Sequence, residues 1–134
     1  MRGETLRTIL RWLISAFYLA AGIVHLRSPE AFLPIVPDWV PLPRAAVIAT
    51  GLWEIAGAAA FFVPGLRRAA GIAMAVYAVC VYPANIKHAF ESIRVAGLST
   101  SWLYHAPRLA LQPVIVWWAL FAGGLVDWPF RRRV

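Results

Sequence analysis

Four stretches of the chain, residues 8–26, 45–63, 69–86 and 109–126, are each 18 or 19 residues long and hold only two charged side chains, Arg11 and Glu54. At about 1.5 Å of rise per residue each would reach about 27–29 Å as a helix, the thickness of a bilayer's hydrocarbon core. A backbone in lipid must satisfy its N–H and C=O groups within the segment, so each stretch is expected to be helical. A soluble chain of 134 residues has too little interior for this much oil: 61% of the residues are apolar and the mean hydropathy is +0.68. The expected fold is an all-α membrane protein. It is one transmembrane domain over residues 1–134, a four-transmembrane-helix bundle with a Pro-rich extracytoplasmic loop, 28–43, between the first two helices.

The net charge of +7 would suit a nucleic-acid binder if the basic residues gathered on a soluble face. They sit instead between the oily runs, where they set orientation. Arg2, Arg7, Arg11, Arg67, Arg68, Arg131, Arg132 and Arg133 share one side; Arg27, Arg44, Lys87, Arg94 and Arg108 share the other. The positive-inside rule then puts both termini in the cytoplasm of a multi-pass protein, with Trp12 and Trp128 in an inner aromatic belt and Trp39 and Trp102 in an outer one. The alternative for the N-terminal region is a cleaved signal peptide with a weak cut site at 20–22. Cys80 is the only cysteine, which leaves no disulfide, CxxC pair or thiolate metal cage within the chain. No metal site is expected.

The linker 28–43 carries five of the ten prolines. Ser28 before Pro29 predicts an N-cap and a short helix over 28–33. Pro34, Pro37, Pro41 and Pro43 then forbid regular structure. The segment is also apolar, so it either avoids water as a tight connector or folds back over the bundle as a lid.

Helical phase shows what the spans bury. Arg11, Ser15, Tyr18, Gly22 and His25 form one stripe. Thr50, Gly51, Glu54, Gly57 and Ala58 form a second, with small residues that let another helix come close. Tyr77, Val81, Ala84 and His88 align on the third, flanked by Cys80 and Asn85, and Gln112, Val116, Ala119 and Gly123 on the fourth. Counting residues inward gives two tiers. Tyr18, Glu54, Tyr77 and Cys80 are expected near the midplane; His25, Thr50, Asn85, His88 and Gln112 near the outer mouth, with Arg108 at its rim. By this count His25 is too far from Glu54 for a direct bond.

Glu54 is the candidate catalytic group. A charge at that depth costs about 2.5–3.5 kcal/mol on insertion scales, so the carboxyl is either protonated or hydrogen-bonded. Tyr18, His25, Thr50, Tyr77, Asn85, His88 and Gln112 are the candidate ligand-binding residues. Pro83 explains why the third run ends in polar residues: it lacks an N–H and clashes with the carbonyl of Val79, opening the helix where Asn85 and His88 follow. The freed carbonyl needs water or a neighbouring helix.

The segments GIVHLRSPEAFLPIVPDWVPLPRA, TGLWEIAGAAAFFVPGLRRAA and VYPANIKHA resemble the DoxX/DoxX-like family of small membrane proteins, through Gly22-x-x-His25, Ile35-Val36-Pro37, Gly51-x-x-Glu54 and Pro83-Ala84-Asn85. The resemblance covers nearly the whole chain; Leu26 stands where many relatives have Phe. It implies a four-helix bacterial inner-membrane protein. The family's names derive from quinol-linked oxidase and thiosulfate–quinone systems, and distant relatives resemble assembly factors.

Two functions follow as expectations. One is a non-haem membrane subunit of a quinone-linked redox system, with quinone as cofactor at the outer mouth, Glu54 relaying a proton, and a partner subunit supplying electrons. The other is a non-enzymatic scaffold or assembly factor that grips membrane proteins. Haem held by His25 and His88 is disfavoured, since two histidines on separate helices are a weak signal. A transporter of this size would need to oligomerise.

Overall fold

The structure, a computed structural model, describes residues 2–95 and 97–130. Every regular element among them is helical: α1 (Arg2–Arg27), α2 (Pro43–Ala60), α3 (Arg67–Cys80), α4 (Tyr82–Phe90) and α5 (Trp102–Ala122), with short 3₁₀ helices at Pro29–Ile35 and Pro64–Leu66. Of the orientation count, Arg131, Arg132 and Arg133 lie outside the described residues, as does the side chain of Arg2.

Two stretches, Gly3–Arg27 and Pro64–Phe90, are long and apolar enough to cross a membrane. Only 28% of each apolar window is buried, whereas a soluble core helix would be mostly covered. The outward faces carry Leu13, Phe17, Leu52, Trp53, Val76 and Leu111, all at least half exposed or nearly so, while Arg7, Arg11, Ser15, Glu54, His88, His105 and Gln112 are buried. Buried ionisable groups beneath a largely apolar outer face are the reverse of a soluble domain's surface.

Each element's ends have a local cause. The third apolar run breaks at Val81 into α3 and α4, with Pro83 in the first turn of α4, where its missing N–H is harmless. The fourth helix starts at Trp102, earlier than the expected 109, because Ser101 caps it: its hydroxyl accepts from Leu103 N at 3.2 Å. It ends at Ala122, before the expected 126. Gly124 there adopts φ +77°, and Leu125 N donates back to Leu120 O at 2.9 Å, a Schellman-type stop. Ser28 stands at the N-cap position of Pro29–Ile35, but its side chain makes no capping bond, and the segment is 3₁₀ rather than the short helix over 28–33. Pro34 within it removes another donor.

Helices α1 and α2 pair antiparallel through glycine. A Cβ on Gly22 would sit 2.7 Å from Gly51 O, and one on Gly51 2.9 Å from His25 Cβ. Helices α3 and α5 meet the same way, a Cβ on Gly123 falling 2.8 Å from Gly71 Cα. Ile14, Tyr18, Phe61, Met74 and Ala119 fill the centre between the pairs. The buried face of α3 is Ala70, Gly71, Met74, Ala75 and Ala78, with Tyr77 at its edge. Cys80, expected in the inner tier, is exposed on the outer face.

At the end of the bundle near the C-terminus of α5, arginines replace ordinary caps. Arg7 Nε donates to Phe121 O at 2.9 Å and Arg11 Nε to Ala122 O at 3.1 Å. Arg67 Nε donates to Phe61 O at 3.2 Å, just past α2. Cations suit these carbonyls, which carry the negative ends of the helix dipoles.

Candidate functional site

The first polar group joins α1, α2 and α3. Glu54 is 4% exposed and turned inward. Tyr77 Oη donates to Glu54 Oε1 at 2.6 Å, a short hydrogen bond. His25 Nδ1 lies 3.0 Å from Glu54 Oε2, so the expectation that these two are out of reach is corrected. Depth counting set their backbones too far apart: a Cβ on Gly22 would lie 3.2 Å from Glu54 Cβ, so Glu54 is level with Gly22, about one turn from His25. Each Cβ tilts toward its own helix N-terminus, so in this antiparallel pair the two side chains lean toward each other.

The same Nδ1 is 2.8 Å from Ala21 O. One N–H therefore faces two acceptors, and Oε2 has no partner at good angles. Thr50 donates to Val47 O at 2.7 Å and lies within bonding reach of the Tyr77 hydroxyl. The Tyr18 ring packs edge-on to Tyr77 at 5.9 Å. Phe32, from the Pro-rich loop, stacks on His25 at 4.2 Å and covers the group from outside.

The second group joins α3, α4 and α5. Gln112 Nε2 donates to Ala78 O at 2.6 Å, in the turn that the break at Val81 deprives of its normal donor. A neighbouring helix thus supplies the missing partner, as expected, although to Ala78 rather than Val79. Gln112 Oε1 accepts from Asn85 Nδ2 at 3.3 Å, and Asn85 Oδ1 accepts from Arg108 Nη2. Arg108 Nη1 is 3.0 Å from His88 Nδ1. A guanidinium only donates, so this His88 nitrogen accepts and Nε2 holds the ring proton. Nε2 is buried without a hydrogen-bond partner. His105 stacks edge-on to His88 at 4.7 Å, fully buried, with neither ring nitrogen paired.

The eight sequence-derived candidates therefore divide. Tyr18, His25, Thr50, Glu54 and Tyr77 assemble around the carboxyl; Asn85, His88 and Gln112 assemble with Arg108. Among the described residues no hydrogen bond, ion pair or ring contact joins the two sets, so the single outer mouth of the sequence reading becomes two separate groups. His105 was missed. Its signal was available, since 105, 108 and 112 recur at helical spacing, but the span was counted only from 109.

The loop bridges both groups. Lys87 Nζ donates to Val36 O at 3.0 Å and to Asp38 Oδ1 at 2.8 Å, while Phe32 reaches His25. That hydrogen bond from the Lys87 ammonium holds the Asp38 carboxyl below its usual range. Arg44 does the same to Glu30 through a 2.8 Å bond.

Chemically, the first group is a carboxyl with one oxygen fixed by a phenol and the other beside an imidazole. Such a carboxyl can hold or release a proton without moving its neighbours. The second group is a chain of paired amides and a guanidinium, which fixes the broken helix against α5.

No curated protein and no solved structure matches the chain. A family model described as a domain of unknown function, DUF8561, matches residues 14–123, from within α1 to the end of α5 and so across both polar groups. The chain belongs to this family.

Proposed function

We propose that this is a multi-pass inner-membrane protein whose α1, α2, α3–α4 and α5 cross the bilayer with both termini in the cytoplasm, and that it is the membrane subunit of a quinone-linked redox system. The observation that carries the reading is Glu54: a buried carboxyl held by Tyr77 Oη at 2.6 Å and beside His25 Nδ1 at 3.0 Å, under the Phe32 ring. An ionisable group on an inward helix face inside an apolar shell is expensive and marks function by default. Quinone reduction takes up protons with electrons, so a proton-holding carboxyl between a phenol and an imidazole suits it. The resemblance to DoxX-like proteins points the same way. Electrons come from a partner subunit, since the chain has a single cysteine.

The test is binding of a short-chain quinone analogue to the purified protein in lipid nanodiscs. Glu54→Gln and His25→Ala are each expected to weaken binding about tenfold, equivalent to about 1.4 kcal/mol. Unchanged binding in both variants refutes the reading.

A second reading, a non-enzymatic scaffold, draws on the Gln112–Asn85–Arg108 network, where polar groups pair with one another rather than face a ligand. Recovery of one defined membrane partner, undiminished by Glu54→Gln, would favour it.

A further inference from the structure

The arginine-rich end of the bundle has more donors than the helix carbonyls use. Arg11 is near enough to Arg7 and Arg67 to be repelled by both, and to Glu4 to be attracted by it. Arg7 is fully engaged, with Glu4 at 2.6 Å and Asp127 at 2.7 Å besides Phe121 O. Arg11 and Arg67 each spend only Nε on a carbonyl. Their Nη groups have no hydrogen-bond or ion-pair partner among the described residues, although Arg11 is only 9% exposed. Bringing several guanidinium groups together at an apolar surface is costly unless an anion joins them.

Beside them, between α1 and α2, lies an open apolar groove of about 310 Å³. Trp12, Ala16 and Leu19 form one wall, and Ile55, Ala59 and Phe62 the other. Seven residues of rise give it a length of about 10 Å along the helices. Its lower end is set by Trp12 and Phe62, whose rings pack at 4.6 Å. These are the chain neighbours of Arg11 and of Phe61, whose carbonyl Arg67 holds. Ser15, one turn from Arg11, also lines the groove; it is 4% exposed and its hydroxyl has no partner. Unpaired cations, an unpaired buried hydroxyl and an apolar channel thus adjoin at one end of one helix pair.

We infer that this is a binding site for one anionic phospholipid, its phosphate held by the Nη groups of Arg11 and Arg67 and one acyl chain lying along the α1–α2 groove, across the outer face of the Trp12–Phe62 ring pair. The charge selects an anionic headgroup over a zwitterionic one, and the groove selects a lipid over a free anion. The inference rests on the membrane reading above but not on quinone.

The experiment is native mass spectrometry of the full chain in detergent, titrated separately with phosphatidylglycerol and phosphatidylcholine of identical chains. The expected result is at least tenfold tighter binding of phosphatidylglycerol. Ala16→Phe fills the groove from an exposed position and leaves every arginine in place; it is expected to cut that affinity about tenfold. Arg67→Gln is expected to erase the preference between the two lipids. Equal binding of both lipids by the unaltered chain overturns the site, as does an Ala16→Phe protein that binds phosphatidylglycerol undiminished. Displacement of the lipid by an equal concentration of inorganic phosphate would mean that the anion alone is recognised and would also overturn it. An alkaline wash separates the two levels. Release of the chain from membranes refutes the membrane reading, whereas a retained chain that ignores headgroup charge refutes only the lipid site.

Discussion

Replacing Gly22 by alanine tests the geometry on which the Glu54 group depends. The new Cβ would stand 2.7 Å from Gly51 O and 2.7 Å from Ile55 Cγ1, and ordinary contact begins at 3.4 Å. Ile55 can rotate, but a backbone oxygen cannot, so α1 and α2 must part by about 0.7 Å at this level. The His25 Nδ1 to Glu54 Oε2 separation is 3.0 Å and spans the same interface. Adding the displacement takes it to about 3.7 Å, beyond hydrogen-bond range. Overpacking of this kind costs about 1–3 kcal/mol. The polar contact adds little, because Glu54 Oε2 has no well-angled hydrogen bond to lose and His25 keeps Ala21 O. The expected total is therefore the overpacking cost, about 1–3 kcal/mol. Reversible unfolding in mixed micelles measures it, with Gly65→Ala as the control, since nothing lies within 4 Å of a Cβ there. A Gly22→Ala protein as stable as the control would show that the helices do not touch here and would remove the basis for the His25–Glu54 pair.

Gln112→Leu should cost about 1–3 kcal/mol in the same assay, because Ala78 O and Asn85 Nδ2 both lose a partner, whereas Val114→Leu on the outer face should be near neutral. Acidification should release the Pro-rich loop. Asp38 is held below its ordinary range by Lys87, so the latch is complete at neutral pH, above the unfolded value, and is lost as pH falls through the lowered folded value. Pepsin cleavage within 28–43 should rise over that window, and Asp38→Asn should be cleaved faster and lose part of this pH dependence, the remainder belonging to Glu30, which Arg44 holds low in the same way, while Lys87 keeps Val36 O.

Much of this architecture follows from periodicity alone. The buried positions Arg11, Ser15, Tyr18 and Gly22 recur at steps of three and four, so the inward face of α1 is legible without coordinates. Glu54 shares a face with Gly51 and Gly57 and turns inward for the same reason. The break before Pro83 is equally readable, because a missing N–H cannot be hidden. What periodicity cannot supply is the direction of a side chain along the helix axis. Counting Cα depth sets His25 well outside Glu54, whereas the Gly22–Gly51 contact leaves their backbones about one turn apart and the opposed tilt of two antiparallel helices closes the rest. Nor can it say which neighbour a stripe meets. Counting gives Asn85 and His25 one depth, yet one turns to α5 and the other to α2. His105 escapes a span counted from 109, because the helix begins about two turns earlier, at the cap on Ser101.

The bonds from Arg7 and Arg11 to Phe121 and Ala122 tie together residues more than a hundred positions apart. During synthesis α1 leaves the ribosome long before α5 exists. Until then both guanidinium groups must stay in contact with water, which resists burial of that end of α1. Arrival of the last helix offers them carbonyls and lets the segment settle. A chain stalled short of residue 121 therefore keeps an unsettled first helix, a mark by which quality control can tell unfinished copies from finished ones.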